Sequence, residues 1–89
     1  RQVVKDMEST TRHAASVLQT YFSSGDKGAA TTYLEDYIKQ LLTAASVADP
    51  ETQQLIMQAF MDKIQPLLAQ NGMGDLTDEV LKKIIKNVL

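Results

Sequence analysis

The sequence predicts an all-α chain folded as an antiparallel four-helix bundle, with three longer helices and a shorter C-terminal one. Three observations predict it. Apolar residues recur at spacings of three and four through four separate stretches of the 89 residues. β-branched residues never alternate with polar ones over a strand length, so no strand candidate arises. With 4 glycines and 2 prolines, breaks are few, which suits long helices.

The first helix is read over residues 1–22. Val3, Val4, Met7, Ala14, Ala15, Val17, Leu18, Tyr21 and Phe22 share a face of about 160° when residues are placed at 100° per step. Thr10 and Thr11 fall inside that face, so its middle is small and weakly apolar. Such a seam admits a close neighbour, or it lies open in a lone molecule. Residues 23–28, SSGDKG, form a turn cluster. They lack the G-x-x-x-x-G-K-[ST] spacing of a phosphate loop, and no strand precedes them.

The second helix starts at Asp26 or at Thr32, the latter having Glu35 three residues on in a capping-box pattern. Its apolar face is Ala30, Tyr33, Leu34, Tyr37, Ile38, Leu41, Leu42, Ala44 and Ala45. Glu35, Asp36, Lys39 and Gln40 are expected outward, with Glu35 and Lys39 forming a favourable i,i+4 pair. Tyr37 is expected in the core and Tyr33 is assigned to core or interface edge.

Residues 49–68 form the third helix, around which the rest is organised. Asp49 is a good N-cap, Pro50 fits the first helical position, and Glu51 complements the dipole. Leu55, Ile56, Met57, Ala59, Phe60, Met61, Ile64, Leu67 and Leu68 cover roughly 240°, against the ~100° of an ordinary surface helix. The expectation is a helix covered on three sides, by this chain or by a second copy, with Met57 and Met61 filling core. Lys63 alone interrupts the apolar side. Pro66 should kink or restart the helix, and Gly72 should end it in the left-handed conformation.

The fourth helix is read over residues 76–89, with Thr77 as N-cap and Leu76 packing on Leu81 as a staple. Asp78 and Glu79 open it and Lys82, Lys83 and Lys86 lie later, giving Asp78–Lys82 and Glu79–Lys83 pairs. Val88 and Leu89 form an apolar end that needs covering, or that continues into more helix.

The length fits one domain spanning residues 1–89. Because the first residue is arginine, the chain reads as a segment of something longer or a processed form. Apolar residues make up 44% and charged residues 22%, ordinary for a folded domain. A net charge of −2 argues against a nucleic-acid binder relying on bulk charge. There is no cysteine, hence no disulfide, thiolate nucleophile or cysteine metal site. Apolar runs fall short of a membrane span, and no signal or transit peptide is visible. The compartment stays open, with the cytoplasm favoured slightly over a processed secreted form.

Chemistry is sparse. A di-iron bundle needs inward glutamates and Glu-x-x-His pairs, yet His13 is the lone histidine and Thr10 holds the matching position. Zinc ligands, EF-hand spacing and a specific Ser-His-Asp set are missing. The expected function is therefore a non-enzymatic helical protein–protein interaction module, associating with itself as a homodimer or with a helical partner, with no cofactor and no small-molecule substrate. An amphipathic lipid-surface binder is the alternative, weakened by the absence of tryptophan and by acidic, glutamine-rich polar faces. A helix-turn-helix regulator comes third, because no exposed helix carries a base-reading set. The residues expected at an interaction edge are Tyr33, Met61, Met73, Val88 and Leu89.

Overall fold

A computed structural model describes residues 2–88, and the side chains of residues 5–87. The chain forms five helices: α1 (Gln2–Ser23), α2 (Lys27–Ser46), α3 (Pro50–Lys63), α4 (Gln65–Gln70) and α5 (Leu76–Val88). No strand occurs among the described residues, and among them no helix is long and apolar enough to cross a membrane.

α1 and α2 meet at a tight corner built by two adjacent residues. Gly25 takes a φ of 74°, and its N–H donates to the Phe22 carbonyl at 3.1 Å, while Asp26 N–H donates to the Tyr21 carbonyl at 2.9 Å. These two bonds satisfy carbonyls at the end of α1 that would otherwise lack donors. Asp26 then turns from ending one helix to starting the next, its Oδ1 accepting from Ala29 N–H at 3.0 Å. Thr32 consequently lies inside α2, and its capping-box pattern with Glu35 goes unused.

The small seam in α1 is covered. Thr11, Ala14 and Leu18 are buried against α2, whose own buried residues are Ala30, Leu34, Tyr37, Ile38 and Leu41. Tyr37 occupies the centre, as expected. Its hydroxyl bonds Thr11 Oγ1 at 2.7 Å, and its ring stacks on Phe60 of α3 with centroids 6.3 Å apart. Tyr37 of α2 thus joins its own helix to α1 and α3.

α3 and α4 are the expected central helix, broken at Ile64. Ile64 N–H still donates to the Phe60 carbonyl at 2.9 Å, and Leu68 N–H donates to Ile64 at 3.1 Å. Restarting there puts Pro66 in the first turn of α4, where its missing N–H costs no bond. α4 ends as predicted on Gly72, at a φ of 72°, with Met73 N–H donating back to Leu68 at 2.9 Å. Gln65 then fastens the following link. Its Nε2 donates to the Gly74 carbonyl at 3.0 Å, and its Oε1 accepts from Thr77 Oγ1 at 3.0 Å. Thr77 is therefore not the N-cap of α5. It lies one residue inside the helix, and its hydroxyl is spent on Gln65. Leu76, read as a staple outside the helix, is buried as its first residue.

α1 packs on both α2 and α3, and α2 packs in addition on α3 and α5. Four of the helices, of 22, 20, 14 and 13 residues, are thereby joined, with the 6-residue α4 extending α3. The core draws on all five, through Ala14 and Leu18, Leu34 and Ile38, Ile56 and Phe60, Leu68, and Val80 and Ile84. The result is flat, 37 × 30 × 16 Å along its principal axes. A layer that thin leaves some helices covered on one side.

Candidate functional site

α3 is the helix most affected. Asp49 caps it as expected, Oδ1 accepting from Thr52 N–H at 2.8 Å, and Gln53 Nε2 ties its first turn to the Ala45 carbonyl of α2 at 2.8 Å. Its buried residues are Thr52, Ile56 and Phe60, followed by Ile64 at the break. At 100° per residue these four span roughly 120° of the helix, half of the apolar arc. Leu55, Met57 and Met61 are left 47%, 45% and 51% exposed. Of the two sources of cover expected for α3, this chain or a second copy, the chain alone does not supply it, and the placement of Met57 and Met61 in the core is overturned. α1 and α2 both sit on the Ile56–Phe60 side, and the methionines lie beyond it.

A surface depression of about 480 Å³ runs along that uncovered strip, lined by Pro50, Gln53, Gln54, Met57, Gln58 and Met61. None of the six carries a formal charge. Gln58 Nε2 donates to Asp62 Oδ1 at 2.8 Å one turn on, which holds that carboxylate along the helix axis.

Two other concavities differ in character. A groove of about 560 Å³ lies between α2 and α5, lined by Lys39, Leu42, Thr43, Ser46, Ile84 and Asn87. Leu42 is 39% exposed beside it, and Val47 projects from the end of α2. The seam that carries this groove is fastened by Glu35, half-buried and not outward as expected. Glu35 accepts from Lys83 of α5 at 3.0 Å and pairs with Lys39 at 3.4 Å. The i,i+4 partner read from the sequence is thus correct for Lys39. Lys83 goes to Glu35 in place of Glu79, because α5 brings it to a carboxylate already set at the seam. The hydrogen bond from Lys83 holds the Glu35 carboxyl below its usual range against an opposing effect of desolvation, with Lys39 assisting.

Between α1 and α3 a smaller crevice of about 180 Å³ is lined by Glu8, Thr11, Arg12, Ala59, Asp62 and Lys63. Its charges are mixed and its floor is occupied by the Thr11 hydroxyl already bonded to Tyr37. Among the described residues no group of three or more His, Cys, Asp or Glu side chains converges to hold a metal.

Of the five residues expected at an interaction edge, the three whose side chains are described, Tyr33, Met61 and Met73, are not gathered on one surface. Tyr33 packs against the core at the α1–α2 end, edge-on to Tyr21 with centroids 6.2 Å apart, and burial followed by the Tyr21 neighbour pushes its phenol above the usual value. Met73 also packs inward, drawn there by the bond that ends α4. Met61 is exposed, which excludes its expected place in the core and leaves it at an edge. Leu89, and the side chain of Val88, lie outside the described residues. What the sequence missed is Leu42, Val47, Leu55, Met57 and Ile85, all exposed. The one signal available for Met57 was its flanking by Gln54 and Gln58, which mark a wetted strip beside it.

No family model matches the chain, and neither the curated proteins nor the solved structures offer a similar one.

Proposed function

We propose that this chain is a non-enzymatic helical interaction module that associates with protein, in the first place with itself. The frame we infer is an antiparallel up-down-up-down bundle of α1, α2, α3 with α4, and α5. The matching of Thr11 with Tyr37 and Tyr21 with Tyr33 across the Gly25 corner supports it, as does Gln53 meeting Ala45 across the next one.

The observation that carries the functional reading is the exposed side of α3. Large apolar residues scattered singly on a surface need no explanation, whereas several on one helix call for a partner. Met57 and Met61 lie one turn apart on that side of the 14-residue helix, and Leu55 is exposed on the opposite flank of its buried face. The total accessible area of 5634 Å² is above the roughly 5200 Å² expected for a compact monomer of this mass, in keeping with the flat shape.

Magnitudes set the strength. In a contact between two copies Met57 and Met61 are buried on both sides, so four half-exposed side chains contribute about 1 kcal/mol each. Association costs roughly 4 kcal/mol or more in lost freedom. The contact is therefore weak and concentration-dependent, with flanking glutamine methylenes and Pro50 needed to make it favourable. Sedimentation velocity on the wild-type chain tests the reading. A sedimentation coefficient that rises with concentration supports it, and a monomer boundary unchanged up to millimolar concentration overturns it.

A further inference from the structure

We propose that two copies meet through the outer strip of α3, antiparallel about a twofold axis beside Met57, so that each Met61 lies against the other copy's Gln54. The proposal rests on the self-association reading and specifies its surface.

Charge selects the surface. A twofold contact places a patch against itself, so any charge near its centre meets its own kind. The α2–α5 groove would take two Lys39–Glu35 ion pairs out of water, and the α1–α3 crevice would do the same with Glu8, Arg12, Asp62 and Lys63. The α3 strip brings together methionine, proline and glutamine alone. The same neutrality gives an anionic lipid surface or an acidic peptide nothing to hold there.

Spacing and hydrogen bonding agree with that choice. Pro50, Gln54, Met57 and Met61 follow one another at four, three and four residues, the interval of a helix–helix seam. A carboxamide both donates and accepts, so glutamine complements glutamine across a twofold axis where a carboxylate or ammonium does not. Gln53 and Gln58 each donate from Nε2 within the chain, to Ala45 and Asp62, which leaves their amide oxygens as acceptors for a second copy.

Direction follows from Asp62. Parallel helices would set the two Asp62 carboxylates level with each other. Antiparallel ones with Met57 at the centre set them at opposite ends of the contact, about 15 Å apart along the axis, and also oppose the two helix dipoles.

Because the chain has no cysteine, Met57→Cys introduces one thiol at the proposed axis. Treated with diamide, which takes up the two hydrogens released, it should form a disulfide-linked dimer in high yield. Ile85→Cys, exposed on α5, should yield little. A Met57→Glu/Met61→Glu chain should keep wild-type helicity, since both sites are half-exposed, and associate at least tenfold more weakly. If the wild type associates and this variant does so equally, the surface is wrong and the self-association reading stands. If Leu42→Glu weakens association in its place, the α2–α5 groove is the contact and the proposal falls. A wild type that never associates overturns both.

Discussion

Thr11 of α1 and Tyr37 of α2 share a 2.7 Å hydrogen bond between hydroxyls, 26 residues apart and buried at the meeting point of three helices. Apart from Thr52, the side chains buried around it are apolar, Phe60 among them. Burial, against the opposing Thr11 bond, pushes the Tyr37 phenol above its usual value, so the pair stays neutral at ordinary pH. Removing one partner leaves the other buried without a bond. Tyr37→Phe and Thr11→Val should each cost about 1–2 kcal/mol, lowering the melting temperature by roughly 4–8 °C per kcal/mol in a domain of this size. The double variant should lose clearly less than the sum. Thermal melts of the four chains measure the coupling directly, and additive losses would mean the bond contributes nothing as a pair.

The two glycines of the α1–α2 corner should respond in opposite directions. Gly25 has a φ of 74° and open space around it, so Gly25→Ala meets no clash and loses on backbone conformation alone, about 1 kcal/mol. Gly28 lies in the first turn of α2 without a positive φ, and an added Cβ would come no closer than 3.8 Å to Asp26 Oδ1. Gly28→Ala should therefore stabilise by about 0.5–1 kcal/mol, through a less flexible unfolded chain. Urea denaturation of both variants, at matched slopes, separates the two signs.

Glu35 gives a prediction in pH. Its folded-state pKa is depressed by Lys83 first and Lys39 second. A depressed carboxyl contributes stability that is present above its unfolded pKa and disappears as pH falls through the folded one. The loss on acidification should thus begin near the ordinary carboxylate range, and Glu35→Gln should show less of it. Near neutral pH that variant should be the less stable of the two. Added salt should narrow the gap, because Lys83 and Lys39 are themselves largely exposed. Melts at acid and neutral pH, with and without salt, test it. A pH profile identical to wild type would show that the α2–α5 seam owes nothing to this triad.

The four methionines should separate under mild peroxide. Met57 and Met61 are about half exposed, whereas Met7 and Met73 pack against the core. Peptide mass mapping should find sulfoxide on the first two before the others, and self-association should weaken in step, because a sulfoxide makes the strip polar. Equal oxidation of all four would contradict the placement of Met73.

Local signals in the sequence read well wherever the cause lies within a few residues. Asp49 and Pro50 start α3, Pro66 forces the restart, and Gly72 ends α4, each through its own backbone chemistry. Choices between two local signals read less well. Asp26 and Thr32 both offer a cap, and the decision comes from Gly25, which returns the chain to helix immediately. Long-range partners were not legible at all. Lys83 has Glu79 one turn away, yet it reaches Glu35, 48 residues back, because α5 settles on α2. The same limit governs the site. Periodicity identifies Leu55, Met57 and Met61 as apolar, but their exposure depends on how the other helices pack, and the flat arrangement puts them outside.

Light scattering across a hundredfold range of concentration, on the wild type beside the Met57→Glu/Met61→Glu chain, tests the central claim most directly. The expected result is a wild-type mass climbing from 9.8 kDa towards twice that value while the variant stays at the lower one. A wild-type mass fixed at 9.8 kDa throughout would contradict it.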